Sequence, residues 1–144
     1  MASDSCVFCG VLSENKEDKI LWQNETLAII ADHKPAAKHH FLVITKRHIT
    51  DVRSLNYKEK EEDRILIEEM LTHAKTFLSS QDPATQDNNF GDVLFGFHYP
   101  PFILVKHLHM HVIYPASQMG FIQRNLFRQN SYWFKHPEYI LGLQ

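Results

Sequence analysis

Cysteine is scarce in this chain: Cys6 and Cys9 are the only two among 144 residues. Thiols so close in sequence cannot staple a secreted disulfide scaffold, because a bridge between them would close only a tiny loop. Long apolar runs are missing too. The longest, Leu27 to Ala31 and Val93 to Phe97, fall far short of the roughly 20 residues a membrane-spanning helix needs. Neither sign of charge dominates. Fifteen Lys and Arg against seventeen Asp and Glu give a formal net charge of -2, which offers no basic footprint for wrapping nucleic acid. Met1-Ala2-Ser3-Asp4-Ser5 has neither a basic region nor an apolar stretch, so it does not read as a secretion signal. Hydrophobic residues at 44% and charged residues at 22% argue against disorder or a fibrous repeat. The expectation is one soluble intracellular domain, cytoplasmic, nuclear or both, with no membrane or nucleic-acid partner. One residue type is abundant. Ten histidines are present, the side chain most used for metals and for proton or nucleophile chemistry near neutral pH.

No internal repeat or low-complexity tract divides the chain. The pattern predicts an N-terminal arm over 1–19, a core over 20–115 and a C-terminal extension over 116–144. Ile20 to Trp22 and Thr26 to Ile30 read as strands around a turn at Gln23-Asn24-Glu25. Pro35 ends that pattern, and His40 to Thr45 is the next strand, rich in β-branched and aromatic residues. A long helix follows, with Asn56 as its expected N-cap and Glu59 in capping-box position. Leu66, Met70, Ala74 and Phe77 mark its apolar stripe, widened by Ile67, Leu71 and Leu78. Asp92 to His98 and Ile103 to Tyr114 read as further strands, separated by the stiff Tyr99-Pro100-Pro101. The aromatic tail around Tyr132, Trp133 and Phe134 is expected to pack. Strands, one long helix and more strands predict an α+β fold with a mostly antiparallel sheet of about five strands.

The chemistry concentrates in His107-Leu108-His109-Met110-His111-Val112. In a strand, alternate side chains share a face, which would put His107, His109 and His111 on one side and Leu108, Met110 and Val112 in the core. Three imidazoles in a row are costly as mere packing, since burying unpartnered polar rings costs several kcal/mol. Two readings compete for them: metal ligands, or a nucleophile with donors for a phosphate. Cys6-x-x-Cys9 bears on the choice, because two thiolates and two histidines would make a closed zinc site. His107 and His48 are the candidates for the histidine ligands, leaving His109 and His111 for chemistry. The alternative is a pair of free exposed thiols. A thioredoxin-like redox pair fits less well, because no strand precedes Cys6.

His107-x-His109-x-His111 followed by apolar residues resembles the signature of the histidine triad family of nucleotide hydrolases and transferases. Asp32-His33-Lys34-Pro35-Ala36-Ala37 and His40-Phe41-Leu42-Val43-Ile44 resemble its ribose-binding turn and following strand. Cys6-x-x-Cys9 and Lys46-Arg47-His48 resemble the zinc positions of its metal-containing branch. Gly96-Phe97-His98, Pro100-Pro101-Phe102 and the stretch from Gly120-Phe121 to Asn130-Ser131-Tyr132-Trp133-Phe134 resemble an animal branch.

The resemblance implies hydrolysis of purine nucleoside 5'-phosphoramidates, releasing AMP from amine- or lysine-linked AMP, with no organic cofactor. Catalytic roles fall on His109 as nucleophile, on His111 as donor to a phosphate oxygen, and on His40 beside it. Nucleotide contacts fall on Asp32, His33, His109, His111 and His98, with Ile30, Phe8 and Leu27 as an apolar wall for the base. Structural zinc would sit on Cys6, Cys9, His48 and His107. A homodimer that extends the sheet across a two-fold is also implied, with Phe77, Leu78 and the aromatic tail as candidate contacts. Asp32 has a simpler reading as the residue that starts the turn before Pro35. His98 is either a substitute for the family's usual Asn or an exposed loop histidine. Leu104 stands where small phosphoramidases of the family commonly have Ser, and it cannot donate a proton to a leaving group. The alternatives are dinucleoside polyphosphate hydrolysis and a catalytically weak nucleotide-binding module.

Overall fold

The structure, a computed structural model, describes residues 6–13, 19–56, 58–99 and 105–142. Leu104 and the Pro100-Pro101-Phe102 segment lie outside these. Ten elements follow in chain order: α1 (Val7–Ser13), β1 (Ile20–Gln23), β2 (Leu27–Ala31), β3 (His39–Thr45), α2 (Glu61–Gln81), β4 (Leu94–His98), β5 (His109–Tyr114), α3 (Phe121–Leu126), β6 (Phe134–Lys135) and α4 (Pro137–Ile140). The strands form one antiparallel sheet in the order β1-β2-β3-β5-β4-β6. The α+β architecture is as expected. The sheet has six strands rather than about five because the tail adds β6 to the β4 edge, pairing Phe97 with Lys135 and His98 with Phe134.

Alternation along the strands divides the side chains between two faces. Leu27, Ile29, Phe41, Val43, Phe95, Phe97, Met110 and Val112 meet α2 through Ile67, Met70, Ala74 and Leu78. The buried line of α2 therefore runs through Ile67 rather than Leu66, which is only half-buried. Leu78 is fully buried and does not fit the role of an exposed subunit contact, whereas Phe77, edge-on to Phe41, stays half-buried. The helix also begins later than its sequence suggests. Asn56 and Glu59 do bond to each other, but within a turn that precedes the helix. Lys60 takes the N-cap position without a side-chain bond, and Glu61, Glu62 and Asp63 supply negative charge to the first turn instead.

The opposite face of the sheet is covered in two patches. Phe8 and Val11 of α1 pack on Ala28, Ile30, Leu42 and Ile44. Met119, Phe127 and Phe134 of the C-terminal segment pack on Leu94 and Ile113. Gly96 makes the second patch possible, since a Cβ there would lie 2.3 Å from the Phe134 ring. Among the described residues, no helix is long and apolar enough to cross a membrane.

Candidate active site

The gap between the two patches holds the histidines. Neighbouring antiparallel strands β3 and β5 pair Leu42 with His111 and Ile44 with His109, which puts His40, His109 and His111 on one face. His109 and His111 have ring centroids 5.2 Å apart, and His40 and His111 are equally close. His107 departs from the expected row. It precedes β5, is fully buried, and turns its ring away among the cysteines.

Backbone groups set the protonated nitrogen on each ring. His109 donates from Nδ1 to the carbonyl of His107 at 2.7 Å, which leaves the Nε2 lone pair free. Burial pushes its pKa down to about 4, the carbonyl opposing this, so the ring is neutral near pH 7. His40 Nδ1 accepts from the Ala36 N–H at 3.0 Å, so its proton is on Nε2. That proton is donated to His111 Nδ1 at 2.9 Å. His111 must then carry its own proton on Nε2, an atom that is buried with no hydrogen-bond partner among the described residues. The chain of tautomers ends in a preset donor.

Asp32 shapes the turn as its simpler reading expects and also faces the imidazoles. Oδ1 accepts from the Lys34 N–H at 2.8 Å and shapes the turn, while Oδ2 lies 3.4 Å from His40 Nε2 and 4.0 Å from His111 Nδ1. These three groups could also hold a metal ion. The His40 tautomer argues against it, because Ala36 demands an acceptor at Nδ1 and so keeps a proton where the metal would bind.

The remaining candidates separate by face. Phe8 reaches the site, with its ring edge-on to His109 at 5.2 Å, and Ile30 packs with it. Leu27 does not. It is fully buried under α2 on the other face, because it alternates out of phase with Ile30, so its expected place in the base wall is corrected. The His33 side chain is 88% exposed, with Nδ1 4.0 Å from Asp32 Oδ1. His98 is no exposed loop residue. It belongs to β4, packs 4.8 Å from the His111 ring, and donates from Nε2 to the Leu126 carbonyl at 2.9 Å. A shallow depression is lined by His98, His109, Val105 and the Thr50–Val52 segment.

Cys6, Cys9, His48 and His107 come together from the arm, the loop after β3 and the segment before β5, their ligand atoms all within 4.8 Å of one another. Cys9 Sγ lies 3.2 Å from His48 Nδ1 and 3.4 Å from His107 Nδ1, and Cys6 Sγ lies 3.3 Å from His107 Nδ1. The two Nδ1 atoms are 3.2 Å apart. Tetrahedral zinc with bonds of roughly 2.0–2.3 Å places such ligand pairs about 3.3–3.6 Å apart, so the four residues fit that ion. His107 Nε2 donates to the Thr45 carbonyl at 2.6 Å, which aims Nδ1 at the thiols as an outer-shell bond does in metal sites.

Sequence reasoning missed one contributor. Phe127 packs against His40, His98 and His111, with centroids 5.4, 5.1 and 5.0 Å away. No local pattern marks it.

The family profile described as "Scavenger mRNA decapping enzyme C-term binding" matches residues 5–127. Adenosine 5'-monophosphoramidase HINT3 of Mus musculus is 40% identical over 95% of this chain and 79% of its own length. The protein of that name from Xenopus tropicalis is 36% identical over 90% and 80%. The bifunctional adenosine 5'-phosphosulfate phosphorylase/adenylylsulfatase HINT4 of Arabidopsis thaliana is 35% identical over 76% and 69%. Among solved structures, a HIT family hydrolase from Clostridium thermocellum superposes with a TM-score of 0.58 at 23% identity, covering 78% of this chain and 91% of that one. A profile match over most of the chain, with relatives at this identity, places the protein in the histidine triad family.

Proposed function

We propose that this protein hydrolyses purine nucleoside 5'-phosphoramidates, releasing AMP from amine- or lysine-linked AMP. The single observation that carries the reading is the 2.7 Å bond from His109 Nδ1 to the His107 carbonyl, which leaves Nε2 as a nucleophile. Relatives at 35–40% identity bearing the name adenosine 5'-monophosphoramidase support the substrate class.

His109 Nε2 attacks the α-phosphorus, and the P–N bond to the amine breaks as the new N–P bond forms. The imidazolium charge that develops is met by the His107 carbonyl. His111 Nε2–H and neighbouring dipoles stabilise the negative charge on the phosphoryl oxygens, an arrangement that costs no reorganisation during reaction. Leu104 offers no proton, so in this reading solvent protonates the departing amine. Water then attacks the nucleotidyl-histidine, AMP leaves, and Nε2 regains its lone pair. Asp32, at the mouth of the turn, is positioned to accept from ribose hydroxyls.

The same reading places structural zinc on Cys6, Cys9, His48 and His107. A four-ligand site has no open position, so the metal would brace the fold and leave the chemistry to the histidines. A homodimer remains part of the proposal, though its sheet-extending form meets β6 on the β4 edge. Sedimentation of the purified chain tests it.

The deciding experiment incubates the protein with amine-linked AMP and with a dinucleoside polyphosphate, then looks for AMP on His109 by mass spectrometry after acid-free quenching. The proposal expects faster release from the P–N substrate and no turnover in His109→Ala. Retained hydrolysis in that variant refutes the nucleophile. AMP binding without any turnover by the wild type would favour the weak binding module that Leu104 suggests.

A further inference from the structure

We propose that Phe127 is a positioning residue for this site: its ring keeps water off the His40–His111 hydrogen bond and so holds the His111 Nε2 proton free for phosphate. The inference rests on the reading above for its substrate, but not for its structural content.

Phe127 sits where four rings converge. Besides the three imidazoles it meets Phe134 edge-on at 5.5 Å. Its backbone N–H donates to the Gln123 carbonyl at 3.0 Å, which closes α3 and points the ring inward. The residue before it contributes the carbonyl that holds His98. Two consecutive residues of the C-terminal segment therefore restrain three of the four imidazoles at the site.

The orphaned donor gives this contact its meaning. A buried N–H without a partner costs about 1–3 kcal/mol, and water admitted to His111 would satisfy Nε2 and compete for Nδ1. An aromatic ring can do neither. It excludes water without offering a competing acceptor in its plane, so the donor stays unpaired until a phosphate oxygen arrives.

Among the described residues, the groups that set the charge of this pair are few. Asp32 from the end of β2 faces His40 and His111, His109 faces them from β5, and His98 from β4. From the C-terminal segment, the rings of Phe127 and Phe134 reach His111. Opening the Phe127 side would therefore expose the imidazoles to solvent without adding a charge.

The test uses the full chain with Phe127→Ala, Phe127→Leu and, as an exposed control, Tyr132→Ala. Nitrogen NMR of the imidazoles reads tautomer and titration without substrate, and steady-state kinetics read kcat, KM and the acid limb. Phe127→Ala should lower kcat on the order of 10- to 100-fold with a smaller change in KM. Its His111 resonance should titrate at least about one pH unit closer to the ordinary histidine value of about 6.5, and the acid limb should follow. Phe127→Leu should restore most of both, and Tyr132→Ala should change neither. An unmoved His111 titration in Phe127→Ala overturns the proposal, as does a kcat loss that merely tracks thermal stability. If Phe127→Ala does not fold, Phe127→Val decides: this smaller side chain leaves part of the gap open and should move the His111 titration and kcat part of the way, and values identical to wild type overturn the role. Failure of the wild type to turn over a phosphoramidate would sink the function while leaving the NMR arm to judge Phe127.

Discussion

His107 joins two clusters of side chains: its carbonyl accepts from His109 Nδ1 at 2.7 Å, while its ring stands 3.3 Å from Cys6 Sγ and 3.4 Å from Cys9 Sγ. A displacement of the arm's thiols would reach the proposed nucleophile through one residue. The Thr45 carbonyl anchors the same ring from behind at 2.6 Å, so His107 is gripped from both sides.

Metal content follows from that geometry. Protein expressed in zinc-replete medium should carry about one zinc per chain by elemental analysis. Cys9→Ser should weaken zinc binding by at least about tenfold and lower the unfolding midpoint. Metal-free wild-type protein with an unchanged midpoint in that variant would remove the zinc proposal.

His40→Ala deletes the donor that fixes the His111 tautomer. The proton of His111 is then free to move to Nδ1, and the donor aimed at phosphate is lost. kcat for a phosphoramidate should fall about 100-fold, with a smaller effect on AMP affinity measured by calorimetry. An unaltered kcat would show that the tautomer chain plays no part in turnover.

Stability should fall on mild acidification. Burial is the largest influence on His40, His98 and His111, and it lowers all three below the ordinary value of 6.5; for His40 and His98 the nearby Asp32 carboxylate partly opposes it. Between the lowered folded values and about 6.5 the unfolded chain binds more protons, so stability rises with pH across that window. The stabilisation is complete above about 6.5 and is lost as pH falls through the window. Urea midpoints taken from about pH 7.5 down to about pH 5 should therefore decline, and His98→Phe should make the decline shallower. A flat profile would contradict the neutral, buried cluster.

Gly96→Ala should disturb the join between the tail and the sheet. Its Cβ would stand 2.3 Å from Phe134, whose ring is fully buried and cannot swing clear. Overpacking of this kind costs about 1–3 kcal/mol. Gly91→Ala, which meets open space, is the matched control. Equal melting temperatures for the two variants would show that β6 is loosely held.

Much of this protein can be read from local chemistry. Strand alternation assigns Met110 and Val112 to the core and His109 and His111 to the other face, because successive side chains in an extended chain must point oppositely. Apolar spacing finds α2, although its first turn slips from Asn56 to Glu61 because the Asn56–Glu59 pair is satisfied in a separate turn. Ligand types alone suggest which thiols and imidazoles belong together.

Other features depend on contacts between distant segments. Alternation could not foresee that His107 leaves the strand line, since the cysteines and Thr45 that hold its ring lie far away in sequence. Placing Leu27 beside Ile30 in a base wall runs against the same alternation, which sends the two to opposite faces, and packing against α2 settles which face each takes. Phe127 is the clearest case. As a residue it is one of ten phenylalanines, and only the return of the tail along β4 brings it over His40 and His111. Periodicity reports the shape of a segment, whereas burial of one polar ring by another segment is a property of the assembled chain.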